Sequence, residues 1–313
     1  MFEHRTAPLG SFEKHILAKA NTGHQLAFVP EYGCCILDVQ IQGCAVLDGY
    51  QTGVDLDLNR WGKSGLLFPF PNRLAGGQYQ WGGRFFNFPL NDPTTGSALH
   101  GFGMDKTFRI LRIQAEQDMA SVACQYEYDG QFSAFPFPFN LRIDFSLSTD
   151  GNFEMEYRAW NMGEAPMPWG FGWHPYFRTG GSVNQAQLRT PVLDLIGVDE
   201  QMIPTGKRYQ FNEFQERKTI GPTVLDNCFT QTKASDTSLS IDLWSNLGHL
   251  HYWQETGEEG MNYVQLFTPP DRQSIAIEPM SCNVDAFNNQ KGLIILQPGD
   301  MARGRFGFRF EPA

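Results

Sequence analysis

Between Phe139 and Leu147 every second residue is apolar: Phe139, Leu141, Ile143, Phe145 and Leu147 alternate with Asn140, Arg142, Asp144 and Ser146. After Asp150-Gly151 the rhythm resumes, with Phe153, Met155 and Tyr157 alternating with Glu154, Glu156 and Arg158. Period-two alternation makes one face of an extended chain apolar and the other polar, so it predicts two half-buried strands. The short Asp-Gly connection joins them as a hairpin. The same alternation marks residues 122–128, 239–243 and 263–267, and Phe306, Phe308 and Phe310 near the end. A helical period is scarce. Residues 209–218 are read as a short helix, and nothing holds a 3.6-residue period over several turns. No repeat, low-complexity tract or linker interrupts the chain. The pattern predicts an all-β fold, a large antiparallel β-sandwich formed as a single domain over residues 1–313.

Composition agrees with strands. Aromatic residues make up 14% of the chain, and 32 Gly and 19 Pro supply turns. A formal net charge of −10 opposes binding to a phosphate backbone, which needs surplus Lys and Arg, so no nucleic-acid partner is expected. Six cysteines (34, 35, 44, 124, 228 and 282) show neither CxxC spacing nor a disulfide rhythm and read as small buried hydrophobes. With no apolar run of membrane-spanning length and no N-terminal signal-like stretch, no membrane partner is expected and the cytoplasm is the expected compartment.

Candidate chemistry comes from a few polar residues in apolar surroundings. Glu278 closes Ser274-Ile275-Ala276-Ile277-Glu278-Pro279, where Ser274 and Ala276 share its face and leave room beside the carboxylate. A glutamate there pays for lost hydration unless paired, and the setting can raise its pKa towards that of an effective base. An ion pair with an arginine fits the same residues. His174 lies in Gly170-Phe171-Gly172-Trp173-His174-Pro175-Tyr176, an aromatic and glycine-rich segment suited to a close-packed pocket for a sugar ring face, or to a core histidine. His100 follows a turn-rich stretch and precedes Gly101, so it can stand at a pocket wall or serve the fold alone. Arg73, next to Asn72, offers fork-like donors to hydroxyls, and Asp226 offers acceptors; both also fit ordinary ion pairs. His249 and His251 share a strand face, but no third ligand is apparent, so no metal is assigned. His4, His15 and His24 are expected to be exposed.

Taken in order, these segments resemble the aldose 1-epimerase (galactose mutarotase) family. The matching pieces are Asn72-Arg73-Leu74 with the Trp81-Gly82-Gly83 turn, Ala98-Leu99-His100-Gly101, Trp173-His174-Pro175-Tyr176-Phe177, Asp226-Asn227-Cys228-Phe229 and Glu278-Pro279-Met280. They span nearly the whole chain. The resemblance implies a galactose mutarotase-like supersandwich, and an isomerase that interconverts the α and β anomers of a free aldohexose by ring opening and reclosure. It implies Glu278 as the base, His174 as the acid, His100 as a second histidine near the ring oxygen, and Arg73, Asp226 and Asn72 as binders of hydroxyls. It implies no metal or organic cofactor, since proton transfer is all that the reaction requires, and a small-molecule aldose as partner of a monomer or homodimer. The Phe68-Pro69-Phe70-Pro71 lead-in and Phe102-Gly103-Met104-Asp105 depart from better-known members, so no particular sugar is carried over.

Two other functions fit the same residues. A hexose-6-phosphate 1-epimerase would need cations at the pocket, for which Arg84, Arg109 and Arg112 are the candidates. A non-catalytic carbohydrate-binding protein would keep the sandwich and its aromatic pocket without the chemistry.

Overall fold

A computed structural model describes residues 1–232, 236–258 and 260–313. Every alternating segment is a strand. The hairpin forms from Phe139–Ser148 and Asn152–Asn161, paired in antiparallel register so that Ile143 faces Tyr157 and Phe145 faces Met155. Burial alternates along both strands, apolar side inward. Their outer face carries the charges, including a network in which Arg142 and Arg158 both bind Asp144.

These strands belong to a nine-stranded antiparallel sheet that runs from Arg109–Ala115 through Met119–Tyr128, the hairpin, Met301–Pro312, Gly248–Glu255 and Ser238–Ser245 to Gln187–Arg189 and Lys218–Thr219. Facing it is an eight-stranded sheet ordered Pro204–Phe211, Leu193–Val198, Asp226–Gln231, Tyr263–Phe267, Ser274–Met280, Gly172–Trp173 and Leu66–Leu67, with Tyr176–Arg178 also paired to Ser274–Met280. Aromatic pairs hold the two layers together. Trp173 stacks on Phe153 and Phe306 at 5.5 and 5.7 Å, Tyr157 on Phe171 at 4.1 Å, and Phe177 meets Phe308 edge-on at 5.3 Å. Such contacts contribute about 0.5–1.5 kcal/mol each beyond area burial. A five-stranded meander, Glu3–Leu9 to Cys44–Ala45, packs on this core through Phe28 against Phe145.

Two α-helices occur among the described residues, Gly53–Leu58 and Ala286–Asn289. The expected helix at 209–218 is absent: Tyr209 and Phe211 end the strand Pro204–Phe211, opposite Leu195 and Leu193, and the chain then turns before Lys218–Thr219. Cross-strand pairing wins there because the segment has no apolar stripe for a helix to bury. A second correction concerns the N-terminal histidines. His24 is buried, with Nδ1 2.9 Å from the Thr22 hydroxyl, and His15 is half-buried between His4 and Phe28. The meander covers them, which local polarity did not reveal.

The all-buried strand Ser274–Met280 is the part of the fold that matters most for chemistry. It lies inside the eight-stranded sheet, so its two faces meet different surroundings. Ile275 and Ile277 join the core shared with the nine-stranded sheet. Glu278 points to the opposite face, where Gln265 is its direct cross-strand partner.

Candidate active site

A cavity of about 470 Å³ opens on that outer face. All six residues singled out in the sequence line it: Asn72, Arg73, His100, His174, Asp226 and Glu278. They come from five separated parts of the chain. Asp226 and Glu278 stand on strands flanking Tyr263–Phe267, which supplies Gln265 between them. The short pair Arg73–Leu74 and Ala98–Leu99 brings the Asn72-Arg73 and His100 segments together. His174 follows Gly172–Trp173, and its backbone is held on both sides, by Ser64 N–H to its carbonyl and by its own N–H to the Gly65 carbonyl.

Glu278 and His174 form the centre. The carboxylate is 2% exposed and its Oε1 lies 3.4 Å from His174 Nε2. Glu278 Oε2 and His174 Nδ1 are both buried with no protein hydrogen-bond partner. A buried polar atom without a partner is costly, and both belong to side chains that line one cavity, where a polar ligand can complete the bonding. Burial pushes the Glu278 carboxyl well above its ordinary range, the nearby Asp226 charge adds to this, and Arg73 opposes it. Burial likewise pushes His174 down to about 4. The imidazole is clamped between Tyr176, stacked at 5.0 Å, and His100, edge-on at 5.2 Å.

The geometry defines the state of His100. Its Nδ1 accepts a hydrogen bond from the Asn72 backbone N–H at 3.1 Å, while its own backbone N–H donates to the Asn72 carbonyl at 2.8 Å. An accepting Nδ1 leaves the ring proton on Nε2. Burial, followed by His174 and Arg73, holds His100 well below its usual pKa, so it is a neutral donor at neutral pH. Both partners sit at left-handed φ, 59° for Asn72 and 66° for His100. Gly101 follows at φ 67°, where a β-carbon would run into the Phe68 carbonyl.

Binding groups surround the pair. Arg73 Nε donates to Asp92 Oδ2 at 3.0 Å, which fixes the guanidinium and leaves further N–H groups for a ligand. The Asn72 amide donates to Gln265 Oε1 at 3.3 Å, and Gln265 Nε2 donates to Asp226 Oδ1 at 2.9 Å. Burial raises the Asp226 carboxyl, against the pull of Arg73 and Gln265. The arrangement brings two carboxyls, two imidazoles, a guanidinium and four amides to a single polar cleft.

Arg84, Arg109 and Arg112 do not line this cavity; Arg109 pairs with Glu127 on the surface, and Arg84 lies over Phe86. Among the described residues Arg73 is the one cationic side chain in the lining. His249 and His251 both bond to Asp242 Oδ1 at 2.9 Å, which explains them as a carboxylate-bound pair on a strand face. Among the described residues no group of three or more His, Cys, Asp and Glu is placed to hold a metal ion. A wider cleft of about 800 Å³, walled by Phe102, Tyr126 and Tyr128, holds neither His174 nor Glu278.

Gln265, Asp92, Tyr176, Phe267 and Trp61 belong to the site or its support, and none was singled out from the sequence. For Gln265 a signal existed: period two places it with Tyr263 and Phe267, a lone amide on a strand otherwise apolar.

Fold and site together define a class, an antiparallel supersandwich with a buried carboxylate–imidazole pair beneath a polar cleft. Residues 16–309 match the family described as Aldose 1-epimerase, and the chain belongs to that family. Among curated proteins it is 26% identical to the uncharacterized protein YihR of Escherichia coli over 88% of this chain and 87% of that one. Among solved structures it is similar to a galactose mutarotase-like protein from Clostridium acetobutylicum, with a TM-score of 0.87 at 18% identity, covering 100% of this chain and 99% of that one. Similarity extends to galactose 1-epimerase from Lactobacillus acidophilus, with a TM-score of 0.83 at 17% identity and the same coverage. At that identity the two structures speak for the fold. No helix among the described residues is long and apolar enough to cross a membrane.

Proposed function

We propose that the protein is an aldose 1-epimerase that interconverts the α and β anomers of a free, uncharged aldohexose, with Glu278 as base and His174 as acid. The observation that carries this reading is the buried Glu278–His174 contact at 3.4 Å, with the second polar atom of each group lacking a protein partner.

In the reaction Glu278 takes the proton of the C1 hydroxyl while His174 gives a proton to the ring oxygen. The C1–O5 bond breaks and an open-chain aldehyde forms. Rotation about C1–C2 presents the other carbonyl face. His174 then takes back the proton of the C5 hydroxyl as it attacks, and Glu278 returns its own to the aldehyde oxygen. No proton is gained or lost over the cycle. With the ring closed the pair is carboxylate and imidazolium; with it open the pair is carboxylic acid and neutral imidazole, the same proton count distributed differently. Burial, by raising Glu278 and lowering His174, favours the uncharged arrangement of the pair. The site is therefore electrostatically matched to the open-chain intermediate, the high-energy species on the path. Arg73 opposes the shift of Glu278, and hydroxyl donors of a bound sugar favour the carboxylate further in the ring-closed complex. His100, through Nε2–H, is a donor to the ring oxygen region, and Arg73, Asp226 and Asn72 bind hydroxyls.

A free sugar suits the lining better than a phosphate ester, because a phosphate would face Asp226 and Glu278 with Arg73 already bound to Asp92. Polarimetry or NMR exchange across a panel of aldoses is the test. Glu278→Gln keeps the shape and removes the base, and is expected to lower kcat by roughly 10²–10⁴-fold. Full activity in that variant would exclude Glu278 as the base, and sugar binding with no acceleration in the wild type would favour a non-catalytic carbohydrate-binding protein.

A further inference from the structure

Trp61 is a bulky side chain in a place where folding alone gives it little reason to be. The residue is 51% exposed where it lines the cavity, and its backbone is left-handed, with φ 65°. For a bulky residue such a φ is an outlier, and outliers of this kind persist where the surroundings enforce them. The surroundings here do so. The Tyr176 hydroxyl donates to the Trp61 carbonyl at 3.0 Å. The Tyr50 hydroxyl donates to the Arg60 carbonyl at 2.8 Å and accepts from Lys63 N–H at 2.9 Å. Gly62 brings the same turn against the catalytic wall: a side chain there would meet Met104 Cε at 3.0 Å and His174 Cδ2 at 3.9 Å. The turn is thus tied to the chemistry on one side and presents an indole on the other.

The rings form a continuous wall from the imidazole outward. His174 stacks on Tyr176, Tyr176 meets Phe267 edge-on at 6.3 Å, and Phe267 lies 5.9 Å from Trp61. The polar side of the cavity is Arg73, Asn72, Gln265 and Asp226. A slot with one aromatic side and one hydrogen-bonding side matches a pyranose, which has C–H faces and a rim of hydroxyls.

We propose that Trp61, backed by Phe267, is the aromatic platform on which the C–H face of the aldose ring lies, and hence a determinant of substrate affinity. This rests on reading the cavity as an aldose site. Because the platform touches the ring face and not the reacting atoms, it stabilises ground state and transition state alike.

Three variants and one direct measurement test it. Trp61→Ala is expected to raise KM by roughly tenfold while kcat stays near wild type. Trp61→Phe keeps a ring and is expected to recover most of that loss. Trp61→Gly relieves the left-handed backbone, so it is expected to raise KM like the alanine variant without lowering the melting temperature. A residue kept for the fold alone would show the reverse, a lower melting temperature and an unchanged KM. In the wild type, saturating aldose should protect the exposed indole from quenching by acrylamide, and the protection should be lost in Trp61→Phe. Unchanged affinity in Trp61→Ala and Trp61→Gly, or a defect confined to kcat, overturns the platform. Aldose binding that depends on Trp61 without any turnover would sink the epimerase reading and leave the platform standing. A wild type that binds no aldose would overturn both.

Discussion

At the scale of single residues, burial does most to set the chemistry of His174, His100 and Glu278, and it acts in opposite directions on the imidazoles and the carboxyl. It also leaves a signature in stability. The His174 pKa falls from 6.5 to about 4 on folding, so between those values the unfolded chain holds more protons and stability falls as pH drops. His100 is shifted in the same direction. Glu278 is raised, so its contribution is fully present below the ordinary carboxylate range and is lost as pH rises through the folded value. Denaturant titrations from pH 4 to 7 should therefore show a flatter acid-side slope in His174→Gln, flattened further when His100→Gln is added. Glu278→Gln should gain on wild type as pH rises. A parallel displacement of all the curves would contradict the burial argument.

At the scale of elements, the site depends on short irregular segments held by a regular sheet. The sheet register sets Gln265 beside Glu278 and diagonally next to Asp226, and the pair Arg73–Leu74 and Ala98–Leu99 adds the His100 wall. Gly101 shows how tight that wall is. A β-carbon there would lie 2.1 Å from the Phe68 carbonyl oxygen, at a φ of 67° that side chains rarely adopt. Backbone cannot yield as a flexible side-chain tip can, so the two segments must separate. Gly101→Ala is expected to destabilise the protein by more than about 1 kcal/mol and to lower kcat by displacing His100. The checks are the denaturation midpoint and the anomerisation rate in the same preparation. Wild-type values in both would show that the wall is softer than its contacts indicate.

At the scale of the whole molecule, the charge of −10 and a lining with Arg73 as its cationic side chain both act against anionic substrates. Anomerisation of an aldohexose 6-phosphate is expected to be slower than that of the free sugar. Its rate should rise as salt is added, because screening weakens the repulsion, while the rate for the neutral sugar stays nearly constant. Comparable turnover of both sugars at low salt would contradict this.

Much of the architecture was legible in the chain because period-two alternation is a local property. The hairpin 139–161 needed only its alternating residues and its Asp-Gly turn, and the strands at 122–128, 239–243, 263–267 and 306–310 followed from the same rule. The helix expected at 209–218 failed because cross-strand partners outweigh a weak local preference, and partners are not written in a short window. The six site residues were each visible as polar groups in unusual settings, and motif order joined them. Local sequence could not show that Glu278 and His174 approach to 3.4 Å, or that Gln265 links Asn72 to Asp226. Nor could it show that Trp61 lines the cavity. Those facts depend on which distant segments the sheets bring together. Sequence by itself determined the alternating strands and the chemical repertoire, since both depend on residue type and spacing. Tertiary structure alone decided burial, proton affinity and reach, since these depend on what surrounds each group in space.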